Sequence, residues 1–190
     1  MEDSSLYISG VNYESITDAD GVATTIFFSG CNHHCDGCHS PSTWDFTAGI
    51  KATDEVIDTI AKNILNRPFV KSVVLSGGDP LYSAGAVCDF LDNLSKSILA
   101  QSSVKLSLDD FNIWIYTGFT VEQIIKMNNS DMKKLLSRCN VIVDGPFEKD
   151  KRDITLNHRG SSNQNIYFII NRLDIDDLIF ADYNTTKSWE

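Results

Sequence analysis

Residues 22–39 run Val22-Ala23-Thr24-Thr25-Ile26-Phe27-Phe28-Ser29-Gly30-Cys31-Asn32-His33-His34-Cys35-Asp36-Gly37-Cys38-His39. The first seven, β-branched and aromatic in the main, read as a buried strand. Ser29-Gly30 ends it, so the cysteines begin where a strand stops. In α/β folds ligands bind at that end, because the loops there converge on one face. Three of the five cysteines fall within these eight positions, 31–38, spaced C-x3-C-x2-C. Thiolates are soft ligands, and this density of soft donors suits an iron–sulfur cluster or zinc. Three protein ligands leave one iron of a four-iron cube free to bind a small molecule. A structural zinc takes four ligands, often as two C-x-x-C pairs. No second pair exists, but His33, His34 or His39 could supply a fourth ligand, so spacing alone leaves zinc open.

Outward from this stretch, alternation around Leu6-Tyr7-Ile8 is weak, and Asp18-Ala19-Asp20-Gly21 reads as a polar turn. Residues 40–51 read as an irregular loop, whose Trp44 and Phe46 either shield a cluster from water or simply pack. Thr53 is the expected N-cap of a helix with Asp54 and Glu55 in its first turn. Val56, Ile57, Ile60, Ala61 and Ile64 follow at helical spacing, and the helix stops near Asn66-Arg67-Pro68. A strand over 70–75 runs into Ser76-Gly77-Gly78-Asp79-Pro80. A helix follows over 83–100, with Cys88 just off its apolar face, then a surface connection over 101–111. Next come a strand at 112–116, short helices from Thr120 and over 131–138, and a strand at 141–143. A polar segment over 147–163, a strand at 165–170 and one helical turn within 174–180 complete the pattern.

This alternation implies right-handed βαβ units and a parallel sheet. Five or six strands cannot close an eight-stranded barrel. The expected fold is therefore α/β, an open partial (β/α) barrel of about five to six mostly parallel strands. It forms a single domain over 1–190, with its core at about 6–171 and a C-terminal tail at 172–190. The formal net charge of −10 argues against binding nucleic acid through its phosphates. Residues 1–10 (MEDSSLYISG) lack the basic and apolar regions of a signal peptide, and no apolar run approaches the ~18 residues of a membrane span. The expected location is cytoplasmic, where thiols stay reduced and cysteines serve metals or chemistry.

The spacing C-x3-C-x2-C is that of the radical S-adenosylmethionine (SAM) enzymes. Further stretches narrow the resemblance: Ser40-Pro41-Ser42-Thr43-Trp44-Asp45-Phe46, Leu75-Ser76-Gly77-Gly78-Asp79-Pro80-Leu81 and Trp114-Ile115-Tyr116-Thr117-Gly118-Phe119. Val143-Asp144-Gly145-Pro146-Phe147, Arg152-Asp153 and Arg159-Gly160-Ser161-Ser162-Asn163-Gln164 continue it. Over about residues 6–171 the chain resembles the activating proteins of the anaerobic ribonucleoside-triphosphate reductase, small radical SAM enzymes.

The resemblance implies a 4Fe-4S cluster held by Cys31, Cys35 and Cys38. SAM would chelate the open iron, and an electron, from a donor such as flavodoxin, would cleave it to methionine and a 5′-deoxyadenosyl radical. That radical would take a hydrogen from a glycine of the large reductase subunit. No side chain is assigned a catalytic role beyond the cluster and SAM. Gly77 and Gly78 stand in the glycine motif whose backbone meets the SAM amino group, and Asp79 is its acidic member. Thr117 and Asp144 end neighbouring strands as candidate ribose contacts, while Asn163 and Gln164 line the adenine side or the partner's surface. A structural role is an equal alternative for Asp79, Thr117, Asp144, Asn163 and Gln164. His33 and His34 read as supporting or solvated residues. The chain departs from the family pattern D-G-P-G-x-R at 18–23, where Ala19 and Ala23 replace a Gly and the Arg. Two competing functions are a radical SAM enzyme of the deazaguanine-forming type, acting on a small molecule, and a zinc-stabilised interaction module.

Overall fold

A computed structural model describes residues 5–186. Its strands are β1 (Tyr7–Ser15), β2 (Ala23–Phe28), β3 (Ile50–Lys51), β4 (Ser72–Gly77), β5 (Asn112–Tyr116), β6 (Val141–Asp144), β7 (Asn165–Ile170) and β8 (Ile179–Asp182). Its helices are α1 (Asp54–Leu65), α2 (Ala84–Gln101), α3 (Val121–Met127), α4 (Ser130–Ser137) and α5 (Tyr183–Thr186). These strands form one open sheet in the order β3-β1-β2-β4-β5-β6-β7-β8. The centre, β2-β4-β5-β6, is parallel. Both flanks are antiparallel. The fold is mixed α/β, as the helix–strand alternation implies.

Among the described residues the sheet has eight strands rather than five to six, and parallel pairing is confined to its middle. The additional strands carry weak patterns for identifiable reasons. β1 shifts register between Ile8 and Gly10 and again between Asn12 and Ser15. Each irregularity breaks the two-residue alternation on which strand reading depends. β3 is two exposed residues long. In place of a helical turn over 174–180, the chain makes tight turns and then enters β8. Asp174 Oδ1 accepts from the Asp176 N–H, and Asn171 Nδ2 donates to the Asp177 carbonyl. Short polar side chains that capture backbone groups in this way favour turns over helix. The expected readings on residues 1–4 and beyond residue 186 lie outside the described residues.

Successive residues of the central strands serve two cores. Ile26, Val73, Leu75, Ile113, Ile115 and Ile142 face the larger one with α1, α2 and α4. Val74, Trp114, Val141 and Val143 face a smaller one with Ala19, Ala23, Ile166 and Tyr183. Covering both faces explains why these strands read as continuous apolar runs. Ala19 and Ala23 are 1% and 0% exposed, so their small size suits the second core. Cys88 is not at the core's edge but fully buried in it. Thr53 occupies the N-cap of α1 but makes no side-chain capping bond, whereas Thr120 caps α3 through the Gln123 N–H. The connection over 101–111 contains a short 3-10 turn whose Leu108 is fully buried. Among the described residues, no helix is long and apolar enough to cross a membrane.

Candidate functional site

The parallel strands point their C-terminal ends to one side, and each ends in a turn. The Gly30 N–H donates to the Thr43 carbonyl (2.8 Å) and the Cys31 N–H to that of Trp44 (3.0 Å). The loop then winds back through left-handed residues at His34 and Gly37, and the Cys38 N–H bonds the Cys35 carbonyl at 3.1 Å. Cys31 is buried; Cys35 and Cys38 are half-buried.

The end of β4 is seated against this loop by its backbone. The Gly78 N–H donates to Phe28 O (2.8 Å) and the Asp79 N–H to Gly30 O (2.9 Å). Gly77 has φ +109°, and a Cβ there would stand 2.3 Å from Phe28 O. At Gly78 a Cβ would stand 2.4 Å from Gly30 O. The glycines thus permit close contact between two backbones, and the added atom at Gly78 would strike the cysteine loop.

One open cavity of about 280 Å³ collects these strand ends. Cys31, Cys35 and Cys38 line it together with Gly77, Gly78, Thr117 and Gln164. Asp79, Asp144 and Asn163 do not line it. Asp79 is buried beneath, and its carboxylate accepts from Leu81 N–H, Thr117 Oγ1, Gly118 N–H and His33 Nε2. Asp144 accepts from the N–H groups of Val121 and Asn165 and from Asn165 Nδ2. Burial pushes its carboxyl above the ordinary carboxylate range, against the pull of those donors. Asn163 Nδ2 donates to Pro146 O. Gln164 Oε1 accepts from Gly160 and Ser161 N–H while its Nε2 donates to Gly145 O, so it pins two loops at the rim.

The cavity also exposes Asp18, Tyr116 and Phe147, which sequence reasoning did not single out, besides Trp44, one of the two proposed shielding aromatics. Phe46, the other, lies against Gly30 and lines a different cavity. Tyr116 was legible as the last residue of an expected strand. Asp18 was visible only as the first residue of the imperfect family pattern at 18–23; it is fixed there by Ser15 Oγ (2.7 Å) and Thr25 Oγ1 (2.6 Å) across the first two strands.

The donor set fits a thiolate-bound cluster. Three soft donors face one cavity. Burial pushes the Cys31 thiol up, opposed by the backbone N–H groups of His33 and His34. A thiolate there is stabilised by the positive charge of a bound metal. Among the described residues, no three His, Cys, Asp or Glu side chains are gathered for a single ion. The thiolates of a four-iron cube bind different irons and stand farther apart than the ligands of one ion.

The sequence is similar to those of known proteins. The family model described as "4Fe-4S single cluster domain" matches residues 17–167. The anaerobic ribonucleoside-triphosphate reductase-activating protein of Escherichia coli is 36% identical over 156 residues, 81% of this chain and 93% of the relative. The proteins of that name from Vibrio cholerae (34% over 153 residues, 80% and 91%) and Salmonella typhi (35% over 155 residues, 81% and 93%) are similar. With a cluster-domain match through the cysteine loop and relatives aligned over nearly their whole length, the chain belongs to the anaerobic ribonucleoside-triphosphate reductase-activating protein family.

Proposed function

We propose that the protein is a radical SAM activase for the large subunit of an anaerobic ribonucleoside-triphosphate reductase, acting in the cytoplasm on electrons from a donor such as flavodoxin. The fold serves as an open partial barrel of the radical SAM type, in a single domain. The observation that carries this reading is the shared cavity, where three cysteines meet the glycine-bearing end of β4. Cys31, Cys35 and Cys38 would hold a 4Fe-4S cluster. When bound, such a cluster with one iron free of protein ligands supplies the electron and the chelation point for reductive cleavage of SAM, which yields hydrogen abstraction from a glycine of the reductase.

The chain's own residues position and enclose. Gly77 and Gly78 keep the end of β4 close to the cysteine loop. Thr117 and Gln164 form the wall on the nucleoside side, and Trp44, Tyr116 and Phe147 exclude water along the cavity. The cavity's open side suits closure by a protein substrate. Lys149 and Arg152 are exposed on the segment after Gly145, and Lys149 reaches the cysteine loop, its ammonium 3.7 Å from Asp36 Oδ2; these two cations make the docking patch. Charge there acts mainly on encounter rate and register. Arg159 is a different case, since its guanidinium donates to Gln164 O and supports the rim.

The test is anaerobic EPR of the reconstituted protein with SAM, dithionite and the reductase subunit. A glycyl-radical doublet that requires all components is expected, and its absence with an intact cluster would overturn the proposal. Lys149→Ala with Arg152→Ala should slow radical formation at low salt and spare SAM cleavage without partner. Equal loss of both activities would remove the patch from docking.

A further inference from the structure

His33 lies in sequence between two of the three cavity cysteines; it lines the same cavity, and its ring packs into the fold against Phe119 and Tyr82. Its Nε2–H donates to Asp79 Oδ2 at 2.9 Å. Phe119 meets the ring edge-on at a centroid distance of 4.5 Å, and Tyr82 lies at 5.2 Å. Gly118 leaves it space, since a Cβ there would stand 2.4 Å from His33 Cδ2. The receiving carboxylate is 2% exposed. It also takes the Leu81 N–H at 2.9 Å, Thr117 Oγ1 at 2.8 Å and the Gly118 N–H at 2.9 Å. One buried side chain therefore joins the cysteine loop, the turn after β4 and the end of β5.

We propose that Asp79 is a positioning residue: through His33 it braces the cysteine loop against the ends of β4 and β5, and it does not touch the nucleoside ligand. Its carboxylate already accepts four hydrogen bonds from protein donors, and it does not line the cavity. A hydrogen bond to so buried a carboxylate has no water to replace it, which makes the contact costly to break. The left-handed turns at His34 and Gly37 then carry Cys35 and Cys38 from a fixed origin. The consequence for the cluster rests on the proposed function; the brace itself is a property of the polypeptide.

The test compares His33→Phe, which keeps an aromatic ring but no donor, with His33→Gln, which keeps an N–H and loses the ring. Hydrogen–deuterium exchange of residues 31–38 is measured on iron-free protein, with melting curves to verify folding. His33→Phe should speed exchange by about tenfold, as expected for a lost hydrogen bond to a charged buried group, and His33→Gln should restore most of it. Thr117→Val removes a different donor from Asp79 and should speed exchange in the same segment. Unchanged exchange in His33→Phe or in Thr117→Val would overturn the brace. So would His33→Gln behaving like His33→Phe. In the reconstituted protein, His33→Phe should release iron to a chelator faster than wild type and His33→Gln should not. A wild-type protein that takes up no iron would refute the proposed function and leave the exchange result to decide the brace.

Discussion

The five cysteines occupy two environments, and the contrast separates chemistry from packing. Cys31, Cys35 and Cys38 leave the end of β2 on a loop held by backbone bonds, and all three line one cavity. Cys88, on α2, and Cys139, after α4, are 0% exposed within the larger core. Burial pushes the Cys88 thiol up to about 11 and that of Cys139 higher still. Cys139 spends its S–H on the Leu135 carbonyl at 3.3 Å. A strand's C-terminal end delivers a side chain to a ligand; the inward face of a helix delivers it to hydrocarbon.

The largest effect should come from exchanging residues across this divide. Alanine at Cys31, Cys35 or Cys38 should abolish the cluster's visible absorbance and its iron after anaerobic reconstitution. Alanine at Cys88 or Cys139 should leave iron content unchanged and lower unfolding stability by about 1–3 kcal/mol. Full iron in Cys35→Ala, or none in a folded Cys139→Ala, would break the comparison. Thiol labelling of the iron-free protein at pH 8 sharpens it. Cys35 and Cys38 should react readily, and Cys88 and Cys139 more than about a thousandfold slower, at a rate set by opening of the core. Equal rates would mean that the core is loose.

A smaller effect measures how tightly the loop is seated. Gly77→Ala meets both an unfavourable backbone angle and the Phe28 carbonyl at 2.3 Å. Gly145→Ala has φ +92° but no neighbour nearer than 3.7 Å, so it incurs the angle alone, about 1–2 kcal/mol. Thermal melts should rank Gly77→Ala well below Gly145→Ala, and equal melting temperatures would discount the contact between β4 and the cysteine loop.

The centre of the fold was legible because β2, β4, β5 and β6 are apolar on both faces and alternate with helices of clear period. The cysteine loop was legible because three soft ligands in eight positions exceed what packing requires. The flanks were not, because bulges in β1 and Asp-rich turns before β8 erase periodicity. Among the site residues, topology brought Thr117 and Gln164 to the cavity with the cysteines. Asp79 lies just past β4 and Asp144 ends β6, yet both turn inward, and no spacing rule separates an acid that faces a ligand from one that faces a backbone N–H. The bond between His33 and Asp79 joins residues far apart in sequence, which a local motif does not encode.

The small second core joins Ala19 near one end of the chain to Tyr183 near the other, where Tyr183 stacks on Phe168 at 4.9 Å and meets Trp114 at 5.6 Å. During synthesis Ala19 and Trp114 emerge long before Tyr183, so this core stays incomplete until α5 is made. Contacts of such long sequence separation close late in folding. The cysteine loop and its seat on β4 and β5 depend on residues made well before that closure. The part of the molecule that gathers the thiols is therefore complete in sequence while the small second core is still open to chaperones and to solvent.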